Sequence, residues 1–193
     1  MNQKTRFIIY GFVAVFLVFT FIIKTFNTTS ILPINGSIPD FQFTDSNGSS
    51  ITRSDMEGKV WVADFIFTTC TMACPIMTGN MNIIHKAFKA DDNVRIISFS
   101  VYPEYDTPEI LKEYASRYSA NTERWHFLTG PENSVKDIIR TGFKIGDYED
   151  IIFHSEKFAL VDTEGNIRGY YSGIKTEDMS QLKKDIKILL KET

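Results

Sequence analysis

Cys70 and Cys74 stand in the stretch Phe65–Met77 (FIFTTCTMACPIM) and are the only cysteines among 193 residues. Three residues separate them. At the entry to a helix this i, i+4 spacing turns both sulfurs to one side, close enough to share a metal ion or, with small adjustment, to form a disulfide. The apolar run ahead of them, Lys59–Phe67 (KVWVADFIF), reads as a strand buried on both faces, and a helical pattern begins at Cys74. Such a junction aims backbone N–H groups and the positive end of the helix at the cysteines, which favours thiolate over thiol. Two thiolates select a soft ion, notably Cu(I), and an imidazole as third ligand suits the same site to Cu(II). A redox-active Cys70–Cys74 disulfide is the other chemistry open to the pair.

The chain has three histidines. His85 falls within the helix, roughly three turns past Cys74, and His126 follows Trp125 in a short apolar segment; both read as surface or core-edge residues. His154 precedes the strand Lys157–Asp162. In the sheet outlined below, the loop before that strand lies beside the N-terminus of the first helix, so His154 is the histidine within reach of the thiols. Met72, Met77 and Met81 are candidate thioether ligands for Cu(I); Met77 and Met81 have the spacing of a helix core face and read as packing, whereas Met72, between the cysteines, is open to either a ligand or a packing role.

The elements that must position these residues follow from periodicity and punctuation. Pro39–Thr52 alternates apolar and polar residues around Asn47-Gly48, a hairpin signal. After the strand Lys59–Phe67 comes a helix over Cys74–Ala90, with Met77, Met81, Ile84 and Phe88 on one face and Pro75 in its first turn. Asn93–Val101 reads as a second buried strand. A helix capped by Thr107, with Pro108 and Glu109 in its first turn, comes next. Trp125–Leu128 reads as a strand and Glu132–Thr141 as a helix. Lys157–Asp162 and Ile167–Tyr171 form a hairpin, and a last helix is capped by Thr176 and runs through Leu190. Strand–helix–strand–helix, then a hairpin and a closing helix, is an α/β order of the thioredoxin-like type: a mixed sheet with flanking helices and an extra N-terminal β-hairpin. The segment Gly142–Ile152, with Gly142 and Gly146, reads as a flexible loop beside the site.

Hydrophobic residues make up 43% and charged residues 23%, which excludes a disordered or collagen-like chain. Two cysteines are too few for a disulfide scaffold or a four-thiolate zinc site. The net charge of −3 gives no support to nucleic-acid binding. Phe7–Ile23 holds no charged residue over 17 positions. As a helix it spans about 26 Å, enough for the short edge of a bilayer core. Lys4 and Arg6 precede it and Lys24 follows, which favours a cytoplasmic N-terminus. The stretch Thr25–Ser30 is a poor cleavage site, and there is no following cysteine for lipid attachment, so an uncleaved anchor is expected. The organisation is then a membrane anchor over residues 1–27, a linker over 28–37 and one domain over 38–193. The domain faces the extracytoplasmic, periplasmic side of the inner or cytoplasmic membrane, where disulfides persist.

FTTCTMACP, SVYPEYDTPE with the following LKEYA, WHFLTG, and a lone histidine before a strand–TEG–strand hairpin together resemble the SCO/SenC proteins, copper chaperones of cytochrome c oxidase assembly. The resemblance covers roughly Pro39 to Leu190. Carried over by position, it implies copper ligands at Cys70, Cys74 and His154, and a metallochaperone rather than an enzyme in the strict sense. The partner it implies is oxidase subunit II, whose binuclear copper A site receives copper or has its thiols kept reduced, or another copper acceptor. Two departures stand out. Thr71 and Met72 replace the common Pro and Asp between the cysteines, and Tyr102 replaces an Asp that supports the metal in relatives.

A thiol–disulfide oxidoreductase is the main competing reading, with Cys70 attacking and Cys74 resolving. Dedicated enzymes of this fold use two intervening residues and a proline before the strand near the thiols, where this chain has Phe153-His154-Ser155. A peroxiredoxin-type peroxidase shares only Thr71–Cys74; Phe67 replaces its required proline, and Cys70 has no place in its chemistry.

Overall fold

A computed structural model describes residues 32–145 and 156–192. Among the described residues eight strands form one sheet: β1 (Gly36–Ser37), β2 (Gln42–Asp45), β3 (Ser50–Thr52), β4 (Val60–Ile66), β5 (Val94–Ser100), β6 (Trp125–Thr129), β7 (Lys157–Val161) and β8 (Asn166–Ser172). The helices are α1 (Ala73–Ala87), α2 (Pro108–Arg117), α3 (Glu132–Asp137) and α4 (Thr176–Glu192). The strand order is β1-β8-β7-β4-β5-β6-β2-β3. β4, β5 and β6 run parallel, and the other pairings are antiparallel.

Every residue of β4 is buried, as its unbroken apolar run requires of a central strand. The pleat divides them: Val60, Val62 and Ile66 enter one core, and Trp61, Ala63 and Phe65 the other. The first core is covered by α1, α2 and α4 through residues such as Met81, Leu111, Leu182 and Ile186. The second is closed by the hairpin and by α3 with the turn after it. There Phe65 stacks on Phe99 at 5.6 Å and meets Phe143 edge-on at 5.1 Å, with Phe41 and Phe43 edge-on to Phe99. Each such pair adds about 0.5–1.5 kcal/mol beyond its buried area. Among the described residues the expected helices on both faces are therefore unequal, three long ones on one side and one short one on the other.

Local signals act where they were read. The Asp45 carboxylate accepts the Asn47 and Ser49 N–H groups at 2.9 and 2.8 Å, and Gly48 takes the left-handed conformation at φ +81° that closes the hairpin. Thr107 caps α2, its hydroxyl accepting the Ile110 N–H at 3.4 Å. The final helix departs from its reading by one position: Thr176 is its first residue rather than its cap, and it runs to Glu192.

Three expectations change. The helix read over Glu132–Thr141 stops at Asp137 and widens into a π-helical turn over Ile138–Phe143, which buries Ile138, Ile139 and Phe143 together. Gly142 lies inside that packed turn, where an added Cβ would sit 3.0 Å from Ile138 Cδ1 and from Pro39 Cδ, so it is not part of a flexible loop. Residues 32–37, read as linker, are tied to the sheet. β1 pairs with β8, Asn35 N–H reaches Ile167 O at 2.8 Å, and the buried Arg168 donates to Leu32 O, also at 2.8 Å. The anchor read at Phe7–Ile23 lies outside the described residues.

Candidate functional site

The sheet delivers the cysteines at the C-terminal end of β4. The turn Phe67–Cys70 closes with Cys70 N–H on Phe67 O at 3.1 Å, and α1 starts three residues later at Ala73. Cys74 occupies the first turn of α1 and is 5% exposed, within the core that α1 shares with the sheet. Cys70 is partly exposed at the mouth of the turn and packs against the same core. The sequence spacing thus brings the two sulfurs together, as one outer and one inner thiol.

Met72 stands at the N-cap of α1 and offers no polar cap atom. The sulfur of Cys70 takes that place: the Cys74 N–H donates to Cys70 Sγ at 3.4 Å. Partial burial pushes the Cys70 thiol up, but hydrogen bonds from the Cys74 backbone, the Cys74 thiol and the Met72 and Ala73 backbones outweigh it and leave it below the ordinary thiol range. Cys74 moves the other way. Burial pushes it up to about 12, and the neighbouring Cys70 and Asp64 add to the rise. The pair is therefore one nucleophilic, metal-ready sulfur backed by one protonated sulfur. Two sulfurs so placed suit a soft ion, since each supplies a polarisable donor and neither is barred from coordination by a cross-link.

Two carboxylates near the cysteines escaped the sequence reading. Asp64 interrupts the apolar run of β4 and is fully buried beside Ser98 of β5 in the strand register. Burial pushes its carboxyl up to about 7; the Ser98 hydroxyl tempers the rise, although neither oxygen is within normal hydrogen-bonding geometry of a donor. Its signal was an acid within KVWVADFIF. Asp106 is also fully buried and accepts from Thr68 and Ser100. Its signal was masked because it directly precedes the helix cap Thr107, where an acid passes for part of the capping pattern.

The remaining candidates sort clearly. Met77 and Met81 are 1% and 0% exposed and belong to the core, while Met72 is 75% exposed with its thioether in solvent. Tyr102 is exposed and stacks on Tyr105 with ring centroids 6.0 Å apart. His85 lies 5.4 Å from the ring of Trp125, and burial, then Arg124 and Lys86, lower its pKa. His126 Nδ1 sits 3.6 Å from Asp45 Oδ2; burial lowers its pKa against the pull of that carboxylate. Both are core-edge residues. His154 lies outside the described residues, and among the described ones no three His, Cys, Asp or Glu side chains form a cluster that would hold a metal.

Comparison with known proteins agrees with this geometry. The family model described as SCO1/SenC matches residues 35–191. The SCO1 protein homolog of Bacillus subtilis is 35% identical over 161 residues, covering 80% of this chain and 83% of its own. A solved structure of BsSco, described as a member of the Sco family of cytochrome c oxidase assembly proteins with a disulfide switch, superposes with a TM-score of 0.72 at 35% identity. It covers 81% of this chain and 95% of its own. ScoI of Bradyrhizobium japonicum, solved with copper bound, gives a TM-score of 0.62 at 26% identity, over 76% of this chain and 97% of its own. With a family match over residues 35–191, and with paired cysteines at the strand–helix junction of a thioredoxin-like sheet, the chain belongs to the SCO1/SenC family.

Proposed function

We propose that this protein is a membrane-anchored, extracytoplasmic copper-binding chaperone. It delivers copper to the binuclear copper A site of cytochrome c oxidase, or keeps the thiols of that site reduced. The observation that carries the reading is the asymmetric pair, with Cys70 Sγ receiving the Cys74 N–H at 3.4 Å and opening to solvent. Relatives support it: ScoI of Bradyrhizobium japonicum is solved with copper bound. Copper is the cargo, held by the sulfurs of Cys70 and Cys74 with His154 as the third donor. Cys70 is the donor a partner thiolate reaches first, so transfer proceeds by ligand exchange at the outer sulfur while Cys74 keeps its hold from within the core. Phe7–Ile23 spans the membrane and leaves the domain outside, where an acidic surface avoids adhesion to anionic lipid: residues 31–193 carry a net charge of −6.

The test is copper titration of the detergent-solubilised full chain, reduced and anaerobic, beside His154→Ala. One equivalent of tightly held Cu(I), and a coloured Cu(II)–thiolate band that disappears in the variant, is the expected result. Weak copper binding by the native protein would remove the chaperone reading.

A second reading, a thiol–disulfide reductase, is favoured by the opposite pKa shifts of the two cysteines. Cys70 thiolate would attack a partner disulfide and release one partner thiolate. Cys74, after losing its proton, would attack Cys70 Sγ and release the second. Two electrons pass to the partner and the Cys70–Cys74 disulfide remains. Rapid exchange with thiol partners and no copper retention would select it.

A further inference from the structure

Asp106 lies where the two segments flanking the cysteines meet. Its carboxylate is 0% exposed. Thr68 reaches it twice, with the hydroxyl donating to Oδ1 at 2.5 Å and the N–H facing both oxygens at 3.3 and 3.2 Å. The Ser100 hydroxyl donates to Oδ2 at 2.6 Å and itself accepts the Tyr102 N–H at 3.1 Å. Ser100 ends β5 opposite Ile66, the last residue of β4. Thr68 is the second residue of the turn Phe67–Cys70, whose closing hydrogen bond carries Cys70. One carboxylate therefore ties that turn to the loop bearing the exposed Tyr102–Tyr105 pair.

Burying a carboxylate is expensive unless it is fully hydrogen-bonded. A neutral network of hydroxyls would join the same two segments at less desolvation. What the charge adds is strength: charge-assisted bonds are shorter and roughly twice as strong as neutral ones, so Thr68 is held in one place. Beyond its closing bond the turn rests on the core through Phe67 and Cys70, and Met72, at the cap, is solvated, so Thr68 is where a side-chain clamp reaches the turn.

We propose that Asp106 is a positioning residue for the cysteine pair: by clamping Thr68 it fixes the turn in which Cys70 Sγ receives the Cys74 N–H. The inference rests on reading Cys70 and Cys74 as the ligand and redox pair. Without the clamp, the turn samples arrangements in which the two sulfurs no longer converge.

The experiment compares the full-length protein in detergent with Asp106→Asn, Thr68→Val and Thr68→Ser. Two quantities are read: the glutathione redox equilibrium of the metal-free cysteine pair, and the Cu(II)–thiolate absorption band with Cu(I) affinity from chelator competition. Asp106→Asn and Thr68→Val are expected to move the redox equilibrium at least fivefold toward disulfide, to weaken Cu(I) binding at least tenfold, and to shift the band. Thr68→Ser, which keeps the hydroxyl, is expected to match the native protein. Native values of both quantities in folded Asp106→Asn and Thr68→Val would overturn the proposal, as would a Thr68→Ser shift equal to that of Thr68→Val. Failure of both disruptive variants to fold would also overturn it, by assigning the carboxylate to folding. Absence of the copper band in the native protein would instead remove the copper reading, while the glutathione equilibrium still tests the clamp.

Discussion

Cys70 Sγ accepts the N–H of Cys74 at 3.4 Å, so one ligand candidate acts as the helix cap of the residue that carries the other. The two sulfurs are chemically unequal for that reason. One is stabilised as an anion by first-turn N–H groups; the other is sealed in the core below it.

That inequality predicts selective alkylation. With Cys74 near 12 and Cys70 below the ordinary value of 9.0, the thiolate fractions at pH 8 differ by about 10³ or more. The higher intrinsic nucleophilicity of the more basic thiol offsets part of this and leaves a preference of at least about 30-fold. Mass mapping after a brief iodoacetamide pulse is expected to find the label on Cys70. Equal labelling of both cysteines would contradict the asymmetry.

Asp64 predicts a pH dependence of stability. Its carboxyl holds a proton up to about pH 7 when folded, against 3.8 when exposed. Between those values the folded chain binds more protons than the unfolded one, so this group's contribution is fully present below about pH 4 and is lost as pH rises to about 7. The loss is on the order of a few kcal/mol. Asp64→Asn removes it, so urea midpoints are expected to show the variant gaining on the native protein from pH 5 to pH 8. A constant difference across that range would exclude a proton-binding Asp64.

The methionines separate by burial. Met81→Ala empties a fully buried site and is expected to cost about 2–5 kcal/mol, whereas Met72→Ala, at a solvated cap, is expected to stay within about 0.5 kcal/mol. Urea denaturation of the two variants side by side checks both values.

Arg168 joins Leu32 O, Asp162 Oδ2 at 2.9 Å and Glu192 Oε2 at 3.2 Å while itself buried. Replacing it with Met takes the cation from the buried Asp162 carboxylate, which keeps only the Glu164 and Asn166 donors, and is expected to cost about 3–5 kcal/mol. Hydrogen exchange at the Asn35 N–H, which bonds Ile167 O, is expected to accelerate in the same variant. An unchanged rate would show that β1 holds without the arginine.

The strands other than β1, and their succession along the chain, were legible because β4 and β5 are buried on both faces and so appear as unbroken apolar runs, and because Asn47-Gly48 and Thr107-Pro108 act through local chemistry that needs no tertiary context. The pairing of Cys70 with Cys74 was legible from spacing alone. The widening of the helix after Asp137 was not, since it serves the packing of Ile138, Ile139 and Phe143 against a hairpin far away in sequence. Nor were the roles of Asp64 and Asp106: whether a carboxylate is orphaned or clamped depends on β5 and on Thr68, which only the folded sheet brings near.

The sheet ends, among the described residues, in a two-residue strand at β1 and a three-residue strand at β3. Stubs this short offer almost no free backbone for another chain to continue. Strand addition onto these two outermost strands is thereby disfavoured, although β1 covers only Asn166 and Ile167 of the longer β8. A visiting protein is offered side chains as well: the exposed Met72, Ile76, Tyr102 and Tyr105 lie at the end of the sheet where Cys70 opens.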